Sequence, residues 1–315
     1  MDRLKLIAGN SNVPLAEEIA EYLDMKLCDT TVDRFPDGEI HVHVKETVRG
    51  SDVFVIQSLS PPVNENLMEL LLLIDALKRA SANSIAAVIP YYGYARQDRK
   101  QTGRVPISAK LVANMISTAG ADRVLTINLH AGQIQGFFDI PVDNLRSDPI
   151  IADYYQSEAE EDDAVVVSPD VGGAKRARKV AQRLNLPLVI AEKKRDPENR
   201  QAEIMNLIGE VDNKKCLVVD DLVSTGGTLI KVSESLCERG CQKVVAACTH
   251  GLFAGSALED LRESPIESLA ATNTILNKEA QKEDFINYIS VGKLFANIIK
   301  RIYQNKSVST MFPHS

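Results

Sequence analysis

The sequence predicts an α/β protein of two domains, each a mainly parallel sheet flanked by helices, with a flap ribbon near the N-terminus. Three observations lead there. Short apolar runs alternate with helical patterns along most of the chain, which is the βαβ signature of covered parallel sheets. A polar interruption at Asn144 to Ser147, followed by Asp148-Pro149 opening a helix, separates two halves that each carry their own strands. One strand breaks the rule: between Glu39 and Lys45, Ile40, Val42 and Val44 alternate with His41 and His43, so it buries a single face.

Taken in order, the expected strands are Leu4 to Ala8, Val53 to Gln57, Ile85 to Pro90 and Val124 to Leu129 in the first half. In the second half they are Val165 to Ser168, Leu188 to Ala191, Leu217 to Val219 and Val244 to Cys248. Each run is rich in Val, Ile, Leu or Ala and too short for a buried helix. Apolar residues at helical spacing place helices at Leu15 to Leu23, Leu67 to Ala80, Ser108 to Ala119, Gly173 to Leu184, Thr228 to Arg239 and Leu294 to Tyr303. The expected division is residues 1–145, 146–303, and a tail at 304–315.

Composition narrows the function. At 315 residues, 44% hydrophobic and 25% charged, the chain is an ordinary globular protein. A net charge of -7 excludes a general nucleic-acid surface, which needs a basic excess. The five cysteines are odd in number and form no C-x-x-C pair, so no disulfide framework or zinc site is expected. With no apolar leader after Met1 and no run long enough to span a bilayer, a cytoplasmic protein is expected, without membrane attachment.

The chemistry concentrates in Cys216 to Thr228. An apolar run ends in Asp220-Asp221, and Ser224-Thr225-Gly226-Gly227-Thr228 then opens a helix expected near Leu229. The glycines let backbone N–H groups converge on a phosphate, the helix N-terminus adds positive charge, and the threonines add hydroxyl donors. The carboxylates stand where they can accept sugar hydroxyls or hold a hydrated Mg²⁺. The ligand class is a sugar phosphate.

Three further segments fit phosphate chemistry. The loop from Tyr94 to Pro106 carries Arg96, Arg99, Lys100 and Arg104, which suits a polyphosphate in an otherwise acidic protein. Lys193-Lys194-Arg195 follows the strand expected to end at Ala191 and opens a polar loop suited to closing over transferring phosphates. His130 and Asp170 stand at the carboxyl edges of strands, where open α/β sheets bind ligands, and both suit a Mg²⁺ whose shell phosphate and water complete. Gly172-Gly173-Ala174-Lys175 lacks the Ser or Thr and the earlier Gly of a Walker A loop.

The Asp220 to Thr228 segment resembles the phosphoribosyl-diphosphate loop of the type I phosphoribosyltransferase superfamily, which implies two phosphoribosyltransferase-like domains. Over the whole chain the words Arg34-Phe35-Pro36-Asp37-Gly38-Glu39, Tyr91 to Asp98, Gln133 to Asn144 and Val167-Ser168-Pro169-Asp170 resemble the ribose-phosphate diphosphokinase family, in its bacterial-type, phosphate-activated class. The resemblance implies transfer of a diphosphoryl group from Mg-ATP to ribose 5-phosphate, with Mg²⁺ as cofactor. It implies that Phe35, Asp37, Glu39, Arg96 and Gln97 bind ATP, and that His130 and Asp170 serve the metal. Asp220 and Asp221 would hold ribose hydroxyls, Ser224, Thr225, Gly226, Gly227 and Thr228 the 5-phosphate, and Lys193 and Arg195 would be catalytic. A register one residue on would make Lys194 the catalytic lysine. It further implies activation by phosphate and inhibition by ADP at a subunit-interface site containing Arg49, Ser81, Ser307 and Ser309, and a homohexamer whose ribbon reaches a neighbour's ATP site.

The chain departs from the family pattern twice. Asn128-Leu129-His130 stands where Asp-Leu-His is usual, and Ser224 stands where the phosphate loop usually has Asp. Each change deletes a negative charge. These changes motivate one alternative expectation, a non-catalytic regulatory subunit of the same family; the other is a phosphoribosyltransferase, which shares the Asp220 to Thr228 motif.

Overall fold

The computed structural model describes residues 3–161, 163–195 and 203–311, with the side chains of 158, 160, 161, 193–195 and 203–205 left aside. The chain forms two compact units, one of residues 1–146, 274–276 and 290–314, the other of most of the remainder.

In the first unit, β1 (Leu4–Ala8), β4 (Asp52–Ile56), β5 (Ser84–Ile89), β6 (Arg123–Ile127) and β7 (Val142–Leu145) form a parallel sheet in that order. The β4, β5 and β6 runs are nearly continuous in buried Val, Ile, Ala and Leu, as a sheet covered on both faces requires. One face is covered by α2 (Val63–Arg79) and α3 (Ser108–Ala119), whose Leu70, Leu73, Ile74, Leu77, Val112 and Ile116 meet Val53, Val55, Ile85, Ala87 and Val124. Helix α3 ends on Gly120 in the left-handed region, where a residue without Cβ closes the turn without cost.

One expectation is met here and one changes. The alternating strand is β3 (Ile40–Val44), and it has an antiparallel partner, β2 (Thr30–Arg34), so the flap is a two-stranded ribbon. Helix α8 (Gly292–Tyr303), expected in the second half, packs against α1 (Val13–Tyr22) within the first unit. Its Phe295, Ile298 and Ile299 are buried, and Ser290, which leads into it, donates to Glu18 on α1.

In the second unit the order is β10 (Glu203–Ile208), β9 (Leu188–Arg195), β8 (Ala164–Ser168), β11 (Lys215–Val223), β12 (Lys243–Gly251), β13 (Ile266–Thr272) and β14 (Ile286–Ile289). All pairs are parallel except β9 with β10. The connecting helices are α4 (Asp148–Glu161), α5 (Ala174–Leu184), α6 (Gly227–Glu238) and α7 (Ala257–Arg262). From β8 the chain steps outward to β9 and later returns to β11 on the other side. That reversal opens a crevice between β8 and β11, the place where doubly wound sheets bind ligands.

Candidate functional site

Strand lengths make the crevice. β11 pairs with β8 only as far as Val218 opposite Val167, and β8 ends at Ser168, while β11 runs on to Val223 still paired with β12. Asp220 and Asp221 therefore belong to the strand itself, in the stretch where β11 has lost its β8 neighbour. Asp221 is buried and Asp220 nearly so, with 16% of its side chain exposed. The Asp221 N–H donates to Asp220 Oδ1 at 2.7 Å. Burial and the adjacent Asp221 carboxylate push Asp220 well above the usual carboxylate range, and the Arg176 guanidinium pulls the other way. Arg176, near the start of α5, stands 3.2 Å from Asp221 and 3.7 Å from Asp220. The sequence reading does not single out this arginine. Its signal is that it lies one helical step past the Gly172-Gly173 turn that follows β8.

Beyond β11 the chain makes the expected loop, and α6 begins at Gly227, one residue before the expected Thr228. Gly226 caps the helix with φ +78°, and a Cβ there would lie 3.0 Å from Leu261 Cγ, so both its conformation and its surroundings call for glycine. Gly227 differs: a Cβ would meet nothing nearer than Thr225 Oγ1 at 4.0 Å. Thr225 and Gly227 are exposed, Ser224 and Thr228 half-buried, and the Ala254 N–H fixes the Ser224 carbonyl at 2.8 Å. The first-turn N–H groups of α6 are open to an anion.

Asp170 is exposed in the turn after β8, and its Oδ1 accepts the Gly173 N–H at 2.6 Å. Cβ atoms on Gly172 or Gly173 would stand 3.3 Å from that oxygen, so the glycine pair lets the turn close around it. Lys193 and Arg195 are the last residues of β9 and pair with the β10 hairpin arm, opposite Met205 and Glu203. The expected loop after Ala191 is thus a continuation of the strand. The strand period puts positions 193 and 195 on one face and 194 on the other. Their side chains, and the loop after Arg195, lie outside the described residues.

In the first unit the ribbon tip runs Phe35-Pro36-Asp37-Gly38-Glu39. Gly38 N–H donates to Phe35 O at 2.9 Å, Phe35 N–H to Glu39 O at 2.9 Å, and Gly38 has φ +94°, the pattern of a three-residue hairpin. Pro36 sets the first turn residue, and Asp37 Oδ1 accepts the Glu39 N–H at 3.1 Å. Phe35 is 48% exposed and lies 4.9 Å from the His41 ring, presenting an aromatic face flanked by carboxylates. Arg96 and Gln97 are exposed in the basic loop. Gln97 accepts the Ser108 hydroxyl at 2.6 Å, and its carbonyl accepts the Ala109 N–H at 3.2 Å, which fastens the loop to the start of α3. His130 is exposed just past β6, two residues after Asn128, whose φ of +46° is one that Asn and Asp tolerate best.

The expected regulatory residues form two pairs. Arg49 is exposed beside Gly50, whose N–H donates to Ser81 O at 2.9 Å. The Ser307 and Ser309 hydroxyls lie 2.8 Å apart, and Arg301 braces them by donating to Ser307 O at 2.7 Å and to Thr310. Among the described residues no helix is long and apolar enough to cross a membrane.

The comparisons with known proteins give this geometry a family. Residues 4–120 match the N-terminal domain of ribose phosphate pyrophosphokinase, and residues 144–278 match the phosphoribosyl transferase domain. The chain is 54% identical to the ribose-phosphate pyrophosphokinase of Bacillus caldolyticus over 98% of both chains. It is 53% identical to that of Thermotoga maritima over 99% of this chain and 98% of the relative. Its structure resembles the phosphoribosylpyrophosphate synthetase of Mycobacterium smegmatis with a TM-score of 0.91 and 41% identity, covering 96% of this chain and 99% of that one. With two phosphoribosyltransferase-type units, the Asp220 to Thr228 loop at the β8/β11 crevice and relatives matched from end to end, the chain belongs to the ribose-phosphate pyrophosphokinase family of enzymes.

Proposed function

We propose that this chain transfers the diphosphoryl group of ATP to the anomeric hydroxyl of ribose 5-phosphate, giving 5-phosphoribosyl 1-diphosphate and AMP. The observation that carries the reading is the desolvated Asp220-Asp221 pair beside the α6 phosphate loop. Ribose hydroxyls donate to the carboxylates while the 5-phosphate takes the N–H groups and hydroxyls of Ser224 to Thr228, so the sugar is held at both ends. Its anomeric oxygen attacks the β-phosphorus, the bond from that phosphorus to the α,β-bridging oxygen breaks, and AMP leaves with the oxygen. ATP is held by Phe35 against its base, by the ribbon carboxylates Asp37 and Glu39, and by Arg96 and Gln97. Lys193 and Arg195 neutralise charge as it develops on the transferred group.

The hard carboxylate of Asp170 suits Mg²⁺, with His130 as the other candidate ligand, and no cluster of three metal-binding side chains occurs among the described residues. A metal here shares its shell with phosphate and water, and when bound it supplies charge neutralisation on the phosphate oxygens. Regulation follows the same chemistry: phosphate activates and ADP inhibits at a site of Arg49, Ser81, Ser307 and Ser309, in a cytoplasmic homohexamer whose exposed ribbon tip reaches a neighbour. A plain phosphoribosyltransferase needs neither the ribbon nor the Arg96-Gln97 loop. AMP release measured with ATP and Mg²⁺, with and without ribose 5-phosphate, tests the reading; AMP formation independent of ribose 5-phosphate, or none at any Mg²⁺ concentration, overturns it.

A further inference from the structure

At the end of α6 opposite the phosphate loop lies a group of thiols that the reaction does not use. Helix α6 stops in a Schellman turn: Gly240 N–H donates to Cys237 O at 3.0 Å, and Cys241 N–H donates to Leu236 O at 3.2 Å. Gly240 has φ +80°, and a Cβ there would stand 2.4 Å from Asp212 Oδ1, so this turn has one shape and needs glycine to hold it. The turn folds Cys241 back onto the last coil of the helix, where its Sγ lies 3.8 Å from Cys237 Sγ. Cys237 is exposed, Cys241 half-buried, and Cys216, at the start of β11, is buried beneath them. No group of three metal-binding side chains occurs among the described residues, so this is a pair of thiols in contact rather than a metal centre.

We infer that Cys237 and Cys241 form a reversible dithiol/disulfide modification site, closed by a hydroperoxide and reopened by a low-molecular-weight thiol. Two sulfurs at van der Waals contact on a turn fixed by backbone bonds need only a small side-chain rotation to reach bonding distance. The exposed Cys237 reacts first, because burial and the neighbouring Cys237 push the Cys241 thiol up to about 12. With hydrogen peroxide, the Cys237 thiolate attacks one peroxide oxygen, the O–O bond breaks, and a sulfenic acid and hydroxide result, the hydroxide taking up the proton the thiol had released to become one water. The Cys241 sulfur then attacks the Cys237 sulfur, the S–O bond breaks, and the oxygen leaves as a second water with the thiol's proton. Sulfur is oxidised from two thiols to one disulfide, and the peroxide oxygens are reduced to water. Attack by a small thiol reverses the step.

The sequence makes the test direct. Trypsin cleaves after Lys231, Arg239 and Lys243, so Cys237 and Cys241 fall in separate peptides, 232–239 and 240–243. The full-length protein is treated with hydrogen peroxide, blocked with an alkylating reagent, digested without reductant and read by mass spectrometry. The expected result is a linked pair of those two peptides, lost after dithiothreitol. Cys28→Ser should keep the link, whereas Cys241→Ser should drive Cys237 onward to sulfinic acid. Recovery of both peptides unlinked after peroxide overturns the proposal, as does a link from Cys237 to Cys216 or, in a mixture of isotopically light and heavy protein, between two chains.

Discussion

The carboxylate of Glu69, on α2, accepts the backbone N–H of Asn10 in the turn that follows β1. Glu69 is buried, with 6% of its surface exposed, and also accepts from the Gln57 amide at 2.8 Å and from Asn10 Nδ2 at 3.1 Å. The same Asn10 amide donates to Val32 O at 3.0 Å, so the chain of contacts runs from the core helix to the ribbon that presents Phe35. A second tie, from Arg34 to Glu65, joins ribbon and helix at the surface.

Glu69→Ala leaves the Asn10 N–H without its acceptor and the Gln57 amide with only its contacts to Asn66, which should lower stability by about 2 to 4 kcal/mol. Because the ribbon is held through Asn10, the KM for ATP should rise more than kcat falls. Denaturant midpoints and steady-state kinetics check both. An unchanged KM for ATP in a folded variant would show that the ribbon is positioned independently of this carboxylate.

The two glycines of the phosphate loop should respond differently. Gly226→Ala forces a side chain into a left-handed backbone against Leu261 and should destabilise the second unit by roughly 1 to 3 kcal/mol. Gly227→Ala has room within the fold, so its melting temperature should stay within a few degrees while the KM for ribose 5-phosphate rises. Equal thermal losses in both variants would contradict the distinction.

Lys193→Ala should lower kcat by about two to three powers of ten with little change in ATP affinity, as expected of a contact that tightens in the transition state. Lys194→Ala should be much milder, since position 194 lies on the other face of β9. The reverse order of damage would move the catalytic register by one residue.

Much of this was legible in the chain because parallel sheets announce themselves through continuous apolar runs. The short strands β7 and β14 were not. Val142–Leu145 and Ile286–Ile289 are four residues each and mix polar with apolar positions, so only pairing to a neighbour makes them strands. Thr30–Arg34 has no buried residue and exists as a strand because β3 pairs with it. Helix α8 reads correctly as a helix, but no local pattern reveals that it returns to α1, a contact far away in sequence. At the site, residue identity pointed to the Asp220 to Thr228 loop, whereas Arg176 is recognisable only once β8 and β11 are known to be neighbours.

Ser224→Asp restores a carboxylate to the phosphate loop. A serine hydroxyl is neutral and can donate, while a carboxylate only accepts and adds to the field that holds a cation. The variant should be more active at limiting Mg²⁺ and bind ribose 5-phosphate slightly less well, each shift being on the order of 1 kcal/mol for one partly solvated charge. Titrating Mg²⁺ at fixed substrate reads it, and an unchanged Mg²⁺ dependence would separate this position from the metal.

The Asp220-Asp221 pair carries opposite consequences for stability and for activity. Asp220 has a raised carboxyl in the folded chain, through burial and the Asp221 charge, so folding takes up protons as the pH passes between its unfolded and folded values. Its favourable contribution is therefore complete below the ordinary aspartate range and is lost as the pH rises through the raised value. Asp220→Asn removes that loss yet keeps an oxygen to accept the Asp221 N–H, now made at 2.7 Å. The ligand-free variant should be more stable than the parent near neutral pH by about 1 to 3 kcal/mol, with the gap closing as the pH falls toward 4. Its turnover with ribose 5-phosphate should drop at least tenfold, because the amide offers the sugar hydroxyls one acceptor oxygen where the carboxyl group offers two. Urea unfolding at several pH values, set beside kcat/KM for ribose 5-phosphate, tests both halves. A variant less stable than the parent at neutral pH would mean that the Arg176 contact outweighs the repulsion between the two carboxylates.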